Sequence, residues 1–211
     1  DGNGTNATER NPVHTYYTNG SFNASLTATN VGGSNTITKQ KYICVGDCRE
    51  RVGIYQDGSW YIDLNGDGMY NTGDRNAGFG APLWAPVLGD WNGDGTREIG
   101  VYRDGSWYLD YDNSGSWNVG DKNYGYGAIN WAPVVGDWSG TGSDKVGAYQ
   151  DGAWYLDSNG NGVFDAGDKN YAFGGAGWTP VVGRWTSDGK TKIGVYRDGT
   201  YYIDYNGDGI Y

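Results

Sequence analysis

An all-β fold assembled from repeats is what this 211-residue chain predicts. Three observations carry the prediction. Gly supplies 39 residues. The acids are almost all aspartate, with 22 Asp against 3 Glu; Glu suits helices, whereas Asp suits turns and tight oxygen-rich loops. The third observation is an internal period of 47 residues. Tyr55-Gln56-Asp57-Gly58 returns as Tyr102-Arg103-Asp104-Gly105, Tyr149-Gln150-Asp151-Gly152 and Tyr196-Arg197-Asp198-Gly199, always at that step.

The composition narrows the function classes. Leu, Ile, Val and Phe total 33 residues and the net charge is −10. Such a balance ordinarily belongs to disordered chains. Trp 10, Tyr 19 and Phe 4 reverse that, because each large ring buries more area than a valine. No apolar run approaches the ~18 residues of a membrane span. No signal peptide is visible, so any export signal lies outside this chain. A single histidine, His14, and two cysteines leave little for a zinc site or a histidine-dependent catalyst. An acidic surface argues against nucleic acid and anionic lipid as partners.

Residues 1–46 form a segment of their own. Phe22, Ala24, Leu26 and Ala28 alternate with Asn23, Ser25, Thr27 and Thr29, the pattern of a half-buried strand. Asn19-Gly20 and Gly32-Gly33 are turns on either side, and Ile37, Ile43 and Val45 share one face of a further strand. About three strands are expected, too few for a core that stands alone. Four glycosylation sequons begin at Asn3, Asn6, Asn19 and Asn23, the last on the polar face of its strand. A Ser/Thr-rich segment also produces sequons by chance. Cys44 and Cys48 would lie ~13 Å apart if extended, so a disulfide between them needs a turn through Val45-Gly46-Asp47. That bond is expected in an oxidising compartment; two small buried hydrophobes are the alternative.

Residues 47–211 hold four 47-residue β repeats, the first and last incomplete. The second repeat reads as a strand over 98–103, the turn Asp104-Gly105, and a strand over 106–110. Asp-Gly between strand-like runs signals a type I′ hairpin, which needs positive φ twice. The run 134–138 models the opening strand and 123–127 an edge strand. Four strands in ~40–50 residues is the size of a propeller blade, small or incomplete here. The Trp residues invite sugar stacking. Their recurrence at equivalent positions (Trp60, Trp107 and Trp154; Trp91, Trp138 and Trp185) favours repeated core packing instead.

Two acidic loop types recur. In the first, Asp63, Asn65, Asp67, Asn71 and Asp74 place oxygens at positions 1, 3, 5, 9 and 12, with Gly68 at 6. This is the spacing of a calcium loop, where glycine allows the sharp bend and a late carboxylate closes the shell. Its copies are Asp110, Asp112, Ser114, Asn118 and Asp121, and Asp157, Asn159, Asn161, Asp165 and Asp168. A shorter copy has Asp204, Asn206 and Asp208. The second type is Asp90, Asn92, Asp94 and Glu98; later copies put Lys145 and Lys192 where Glu98 stands. Residues 90–98 therefore read as a metal loop, and the copy that starts at Arg184 as metal-free. Asx turns alone provide a metal-free account of all these loops.

Two stretches carry family resemblances. Asn11-Pro12-Val13-His14-Thr15-Tyr16, Gly20-Ser21-Phe22, Leu26-Thr27-Ala28-Thr29-Asn30 and Tyr42-Ile43-Cys44-Val45 resemble the second half of a PKD domain. That resemblance implies a partial immunoglobulin-like sandwich. Val87-Leu88-Gly89-Asp90-Trp91-Asn92-Gly93-Asp94-Gly95 is similar to FG-GAP or VCBS repeats, which implies propeller blades with calcium in such loops. Together they imply a secreted or cell-surface protein of a prokaryote, without enzymatic activity.

The leading expectation is a calcium-stabilised structural subunit of a surface layer, sheath or fibril. A lectin-like adhesion module that binds glycans at repeated sites is the alternative. No nucleophile–base set is visible, so an enzyme is not expected. Both ends of the array stop within a unit, which leaves unpaired strand edges. Head-to-tail self-association, with strand donation, is expected to cover them.

Overall fold

The computed structural model describes residues 7–9, 12–18, 20–45 and 51–210. Among these residues there are sixteen strands in five antiparallel sheets, no helix, and no sheet closed into a barrel. The chain divides into two compact units, Asp1–Glu50 and Arg51–Tyr211.

In the first unit the described residues form one hairpin. β1 (Gly20–Asn30) pairs antiparallel with β2 (Gly33–Val45). The sequence suggested about three strands and a half-buried face. The register slips by two residues between Phe22 and Ala24, which keeps the two faces as they were, and Leu26 and Ile37, paired with each other, are both exposed. A ladder of hydroxyl pairs holds the other face: Ser25–Thr38, Thr27–Thr36 and Thr29–Ser34, each 2.7 Å apart. Asn23 is exposed at the shift. Asn3, Asn6, Asn19 and Cys48, and the side chain of Cys44, lie outside the described residues, and with them the expected disulfide.

The second unit is a series of antiparallel meanders. The second repeat comprises β6 (Ala85–Gly89), β7 (Glu98–Arg103), β8 (Ser106–Leu109) and β9 (Lys122–Gly125), each paired with the next. The third repeats it 47 residues on with β10 (Ala132–Gly136), β11 (Lys145–Gln150), β12 (Ala153–Leu156) and β13 (Lys169–Ala172). Three-stranded sheets flank them in sequence: β3 (Gly53–Gln56), β4 (Ser59–Ile62) and β5 (Arg75–Gly78), and β14 (Thr179–Gly183), β15 (Lys192–Arg197) and β16 (Thr200–Ile203). The Asp-Gly turns take positive φ at both residues, as at Asp104 (51°) and Gly105 (90°). That is the type I′ geometry which matches strand twist.

The core lies between consecutive repeats, because one small sheet cannot bury its own face. Trp60, Ala77 and Phe79 pack against Ile99 and Val101 of the next repeat. Trp107 and Tyr126 meet Val146 and Ala148, and Trp154 and Phe173 meet Ile193 and Val195, in the same way. Each of these indoles satisfies its buried N–H on a backbone carbonyl 2.8 Å away, at Phe79, Tyr126 and Phe173 in turn. Trp91 and Trp138 are buried too, whereas Trp117 is half exposed. Main-chain bonds staple the repeats: Asp144 N–H donates to the Asp90 carbonyl (2.7 Å), and Thr191 N–H to the Asp137 carbonyl (2.9 Å).

Candidate metal centres in the acidic loops

Six of the seven loops open on an aspartate sunk beneath the surface, Asp63, Asp90, Asp110, Asp137, Asp157 and Asp204; the seventh opens on Arg184. A buried carboxylate needs donors. Five of the six obtain them from their own loop, three and five residues on. Asp63 accepts from Gly66 N–H (2.6 Å) and Gly68 N–H (2.8 Å). Asp90 accepts from Gly93 and Gly95, Asp137 from Gly140 and Gly142, Asp157 from Gly160 and Gly162, and Asp204 from Gly207 and Gly209. These are Asx turns, and they fold the loops from within.

Asp110 is the exception. Its Oδ2 accepts from Gly115 N–H (2.9 Å), but its Oδ1 is buried with no hydrogen-bond donor. Burial pushes this carboxyl above the usual carboxylate range, against the Gly115 bond and the Arg75 charge, which lower it. The cause sits at the fourth loop position, where the sister loops have Gly66, Gly160 and Gly207. Here Asn113 turns its N–H to the Asp110 carbonyl (3.3 Å) instead. Arg75, from β5 of the preceding repeat, holds Asn113 by its side-chain oxygen and by its carbonyl (3.0 Å).

Among the described residues, acidic ligand atoms converge within 4.8 Å at two places: Asp90, Asp94 and Glu98, and Asp110, Asp112 and Asp121. Asn92 stands beside the first group but turns its Oδ1 to Asp94 N–H (2.8 Å). Glu98 is buried and accepts from Trp91 N–H (2.9 Å). In the second group, Asn118 Nδ2 points at Asp112 Oδ2 (3.0 Å), Ser114 Oγ (2.8 Å) and the Ser116 carbonyl (3.2 Å). The oxygens of positions 3, 5 and 7 thus already face one point. The bond from Asn118 draws the Asp112 carboxyl below its ordinary range.

In all three loops of this type the closing aspartate is capped by the loop's own backbone. Asp121 accepts from Tyr111 N–H (3.0 Å) and Asn118 N–H (2.8 Å). Asp74 accepts from the N–H groups of Leu64, Asn65 and Asn71, and Asp67 from Met69 N–H and Asn71 Nδ2. Asp168 accepts from Ser158 and Asp165 N–H and from the Tyr126 hydroxyl of the preceding repeat (3.3 Å). Asp165 takes Gly167 N–H and the amides of Asn159 and Asn161. The expected ligands Asp63, Asn65, Asp67, Asn71 and Asp74, and Asp157, Asn159, Asn161, Asp165 and Asp168, are therefore gathered in their loops without a three-carboxylate cluster.

The later copies of the 90–98 loop carry their own cation. Lys145 Nζ donates to Thr141 Oγ1 (2.7 Å) and the Ser143 carbonyl (3.2 Å), and lies 3.8 Å from Asp137 Oδ1. Lys192 Nζ pairs with Asp188 Oδ2 at 2.9 Å and reaches Thr186 and the Tyr205 carbonyl. That pairing holds the Asp188 carboxyl down to about 2. Arg184 turns away to Asp137 Oδ2 of the preceding repeat, at 3.9 Å.

Reading the sequence for ligand types missed two participants. The Ser116 carbonyl is backbone and has no residue signature. Arg75 does have one: a basic residue recurs at Arg75, Lys122 and Lys169, always 35 residues before a buried loop aspartate. Glycine at loop position 6 also has a second reason. A Cβ at Gly162 would lie 2.1 Å from the Tyr124 ring, and one at Gly209 2.0 Å from the Tyr171 ring, both rings belonging to the preceding repeat. In comparisons with protein-family models, curated proteins and solved structures, nothing matches this chain.

Proposed function

We propose that this chain is a non-enzymatic structural protein of the cell surface or extracellular space, a calcium-stabilised subunit of a layer, sheath or fibril. One observation carries the reading: the repeats dock through the same groups at every 47-residue step, and the acidic loops sit at those joints. Oxygen-only ligand sets of irregular shape suit calcium, which takes six to eight oxygens and tolerates distortion. Two clefts between repeats have volumes of about 90 and about 150 Å3. Small-molecule sites run to ~300–1,000 Å3, so neither cleft favours an enzyme. The PKD-like and FG-GAP or VCBS-like resemblances, a propeller-like arrangement and glycans at exposed Asn23 belong to the same proposal. Thermal melts with calcium and with a chelator test it. One site at ligand ~100-fold above Kd adds ~2.7 kcal/mol; an unchanged Tm sinks calcium stabilisation.

Assembly in this proposal is head to tail, between copies. Ile99, Val101, Val146, Ala148, Ile193 and Val195 are buried by the preceding repeat, yet their equivalents in the first repeat, Val52 and Ile54, are 69% and 64% exposed. On the other side, Trp60, Trp107 and Trp154 are buried while their equivalent Tyr201 is 64% exposed. A second copy that continues the inter-repeat register covers both. Sedimentation velocity at rising concentration should show association that Ile54→Asp weakens; a concentration-independent monomer refutes it.

A glycan-binding reading rests on a different observation. Tyr70, Trp117 and Phe164 are exposed at equivalent positions, each edge-on to a tyrosine (Tyr61, Tyr108 and Tyr155) at 5.2–5.3 Å. A glycan array decides between adhesion and scaffold.

A further inference from the structure

We propose that the loop from Asp110 to Asp121 is a cation site of the chain, and that Arg75 of the preceding repeat makes it so. The inference rests on the calcium-stabilised reading and names its site. Cations prefer oxygens that nothing else occupies. In five of six loops the buried aspartate has both oxygens capped by backbone N–H groups, so a cation there must displace a bond or share a lone pair. At Asp110 one oxygen is fully buried and uncapped. It belongs to the same 4.8 Å group as ligand atoms of Asp112 and Asp121. A desolvated, unshared carboxylate oxygen is costly unless a positive charge meets it.

The charge balance agrees. Asp110, Asp112 and Asp121 bring three negative charges, and Arg75 Nη2, 3.5 Å from Asp110 Oδ2, returns one positive. A divalent ion neutralises the remainder. Its oxygens would be Asp110 and Asp112, Ser114 Oγ, the Ser116 carbonyl, Asn118 after rotation of its amide, and Asp121. Six hard oxygens suit calcium. Arg75 acts as a positioning residue: by gripping Asn113 it keeps that N–H away from Asp110 Oδ1. Since docking of the first repeat prepares the site, cation binding must in turn favour docking, by reciprocity of linked equilibria.

The test is terbium luminescence of the full chain, excited through tryptophan, with calcium as competitor. Trp117 lies inside this loop, where the sister loops have Tyr70 and Phe164. Trp117→Phe should therefore remove the sensitised emission. Asp110→Asn, and the exposed Asp112→Asn should the first fail to fold, should weaken terbium and calcium at least tenfold, while Asp157→Asn stays within twofold. Arg75→Ala removes a positive charge, which by itself would tighten binding; it should instead weaken it about tenfold, as should Asn113→Gly, which restores the capping N–H. Tighter binding in Arg75→Ala overturns the role of Arg75. Emission untouched by Trp117→Phe and Asp112→Asn overturns the site. If calcium still raises Tm in that case, only the site assignment falls; if calcium raises nothing, the stabilisation proposal falls with it.

Discussion

Alanine at Gly162 separates two reasons for one glycine. Gly162 and Gly68 hold the same loop position with nearly the same backbone, φ 73° and 79°. Alanine at either pays the left-handed penalty of ~1–2 kcal/mol. Only at Gly162 does the new methyl carbon fall within 2.1 Å of the Tyr124 ring; at Gly68 nothing lies within 4 Å. The ring is partly buried in the joint with the preceding repeat, so it cannot swing clear without opening that joint. Forcing a carbon into such packing costs a further ~1–3 kcal/mol. Gly162→Ala should therefore lose ~2–5 kcal/mol against ~1–2 for Gly68→Ala. Urea unfolding followed by tryptophan fluorescence, in chelator so that metal does not enter, measures both. With a slope of ~1–3 kcal/mol/M, the gap amounts to roughly 1 M in midpoint. Equal losses would show that the bend alone explains the glycine and that the joint contributes nothing.

Three other outcomes are expected. Trp154→Ala should cost ~3–5 kcal/mol as a fully buried ring, whereas the half-exposed Trp117→Ala should cost under about 1; chemical denaturation of the pair checks this. Asp94→Ala should reduce bound calcium more than Asp188→Ala, because Lys192 already neutralises Asp188; calcium titration reads it, and equal losses contradict it. Lys192 lowers the Asp188 carboxyl from its ordinary 3.8 to about 2. A depressed carboxylate stabilises the fold above its unfolded value, and the contribution fades as pH falls from about 4 through 2. The Tm difference between the native chain and Asp188→Asn should therefore shrink over that window, by a small amount since the pair is part-exposed.

Much of the fold was legible because it depends on local chemistry. Asp104-Gly105 makes its hairpin from two positive φ angles, and the 47-residue step multiplies that information fourfold. Lys145 in place of Glu98 announced a loop that supplies its own charge, and the ammonium indeed meets the loop oxygens. What stayed hidden depends on groups remote in the chain or silent in residue type. The register shift beside Asn23, and the exposure of Leu26 and Ile37, have no marker in an alternating run. The ligand spacing is equally good in the loops from Asp63, Asp110 and Asp157, yet only one has an uncapped buried oxygen. That difference comes from Asn113 and from Arg75, a guanidinium 35 residues before Asp110.

The lysines inside the later loops bear on robustness. An ammonium tethered by its own chain cannot be washed out, chelated or diluted; its local concentration is set by geometry and not by the surroundings. The loops around Asp137 and Asp188, where Lys145 and Lys192 stand beside the carboxylates, should thus be indifferent to ionic supply. Among the described residues, carboxylate clusters occur only in the second repeat, at Asp90 and at Asp110, the latter at its joint with the first. In hard and soft water alike the third and fourth repeats should hold, and a fall in calcium should loosen the array from its first-repeat side. Limited proteolysis in chelator would register this as cuts that begin near residues 63–121 and spare the rest.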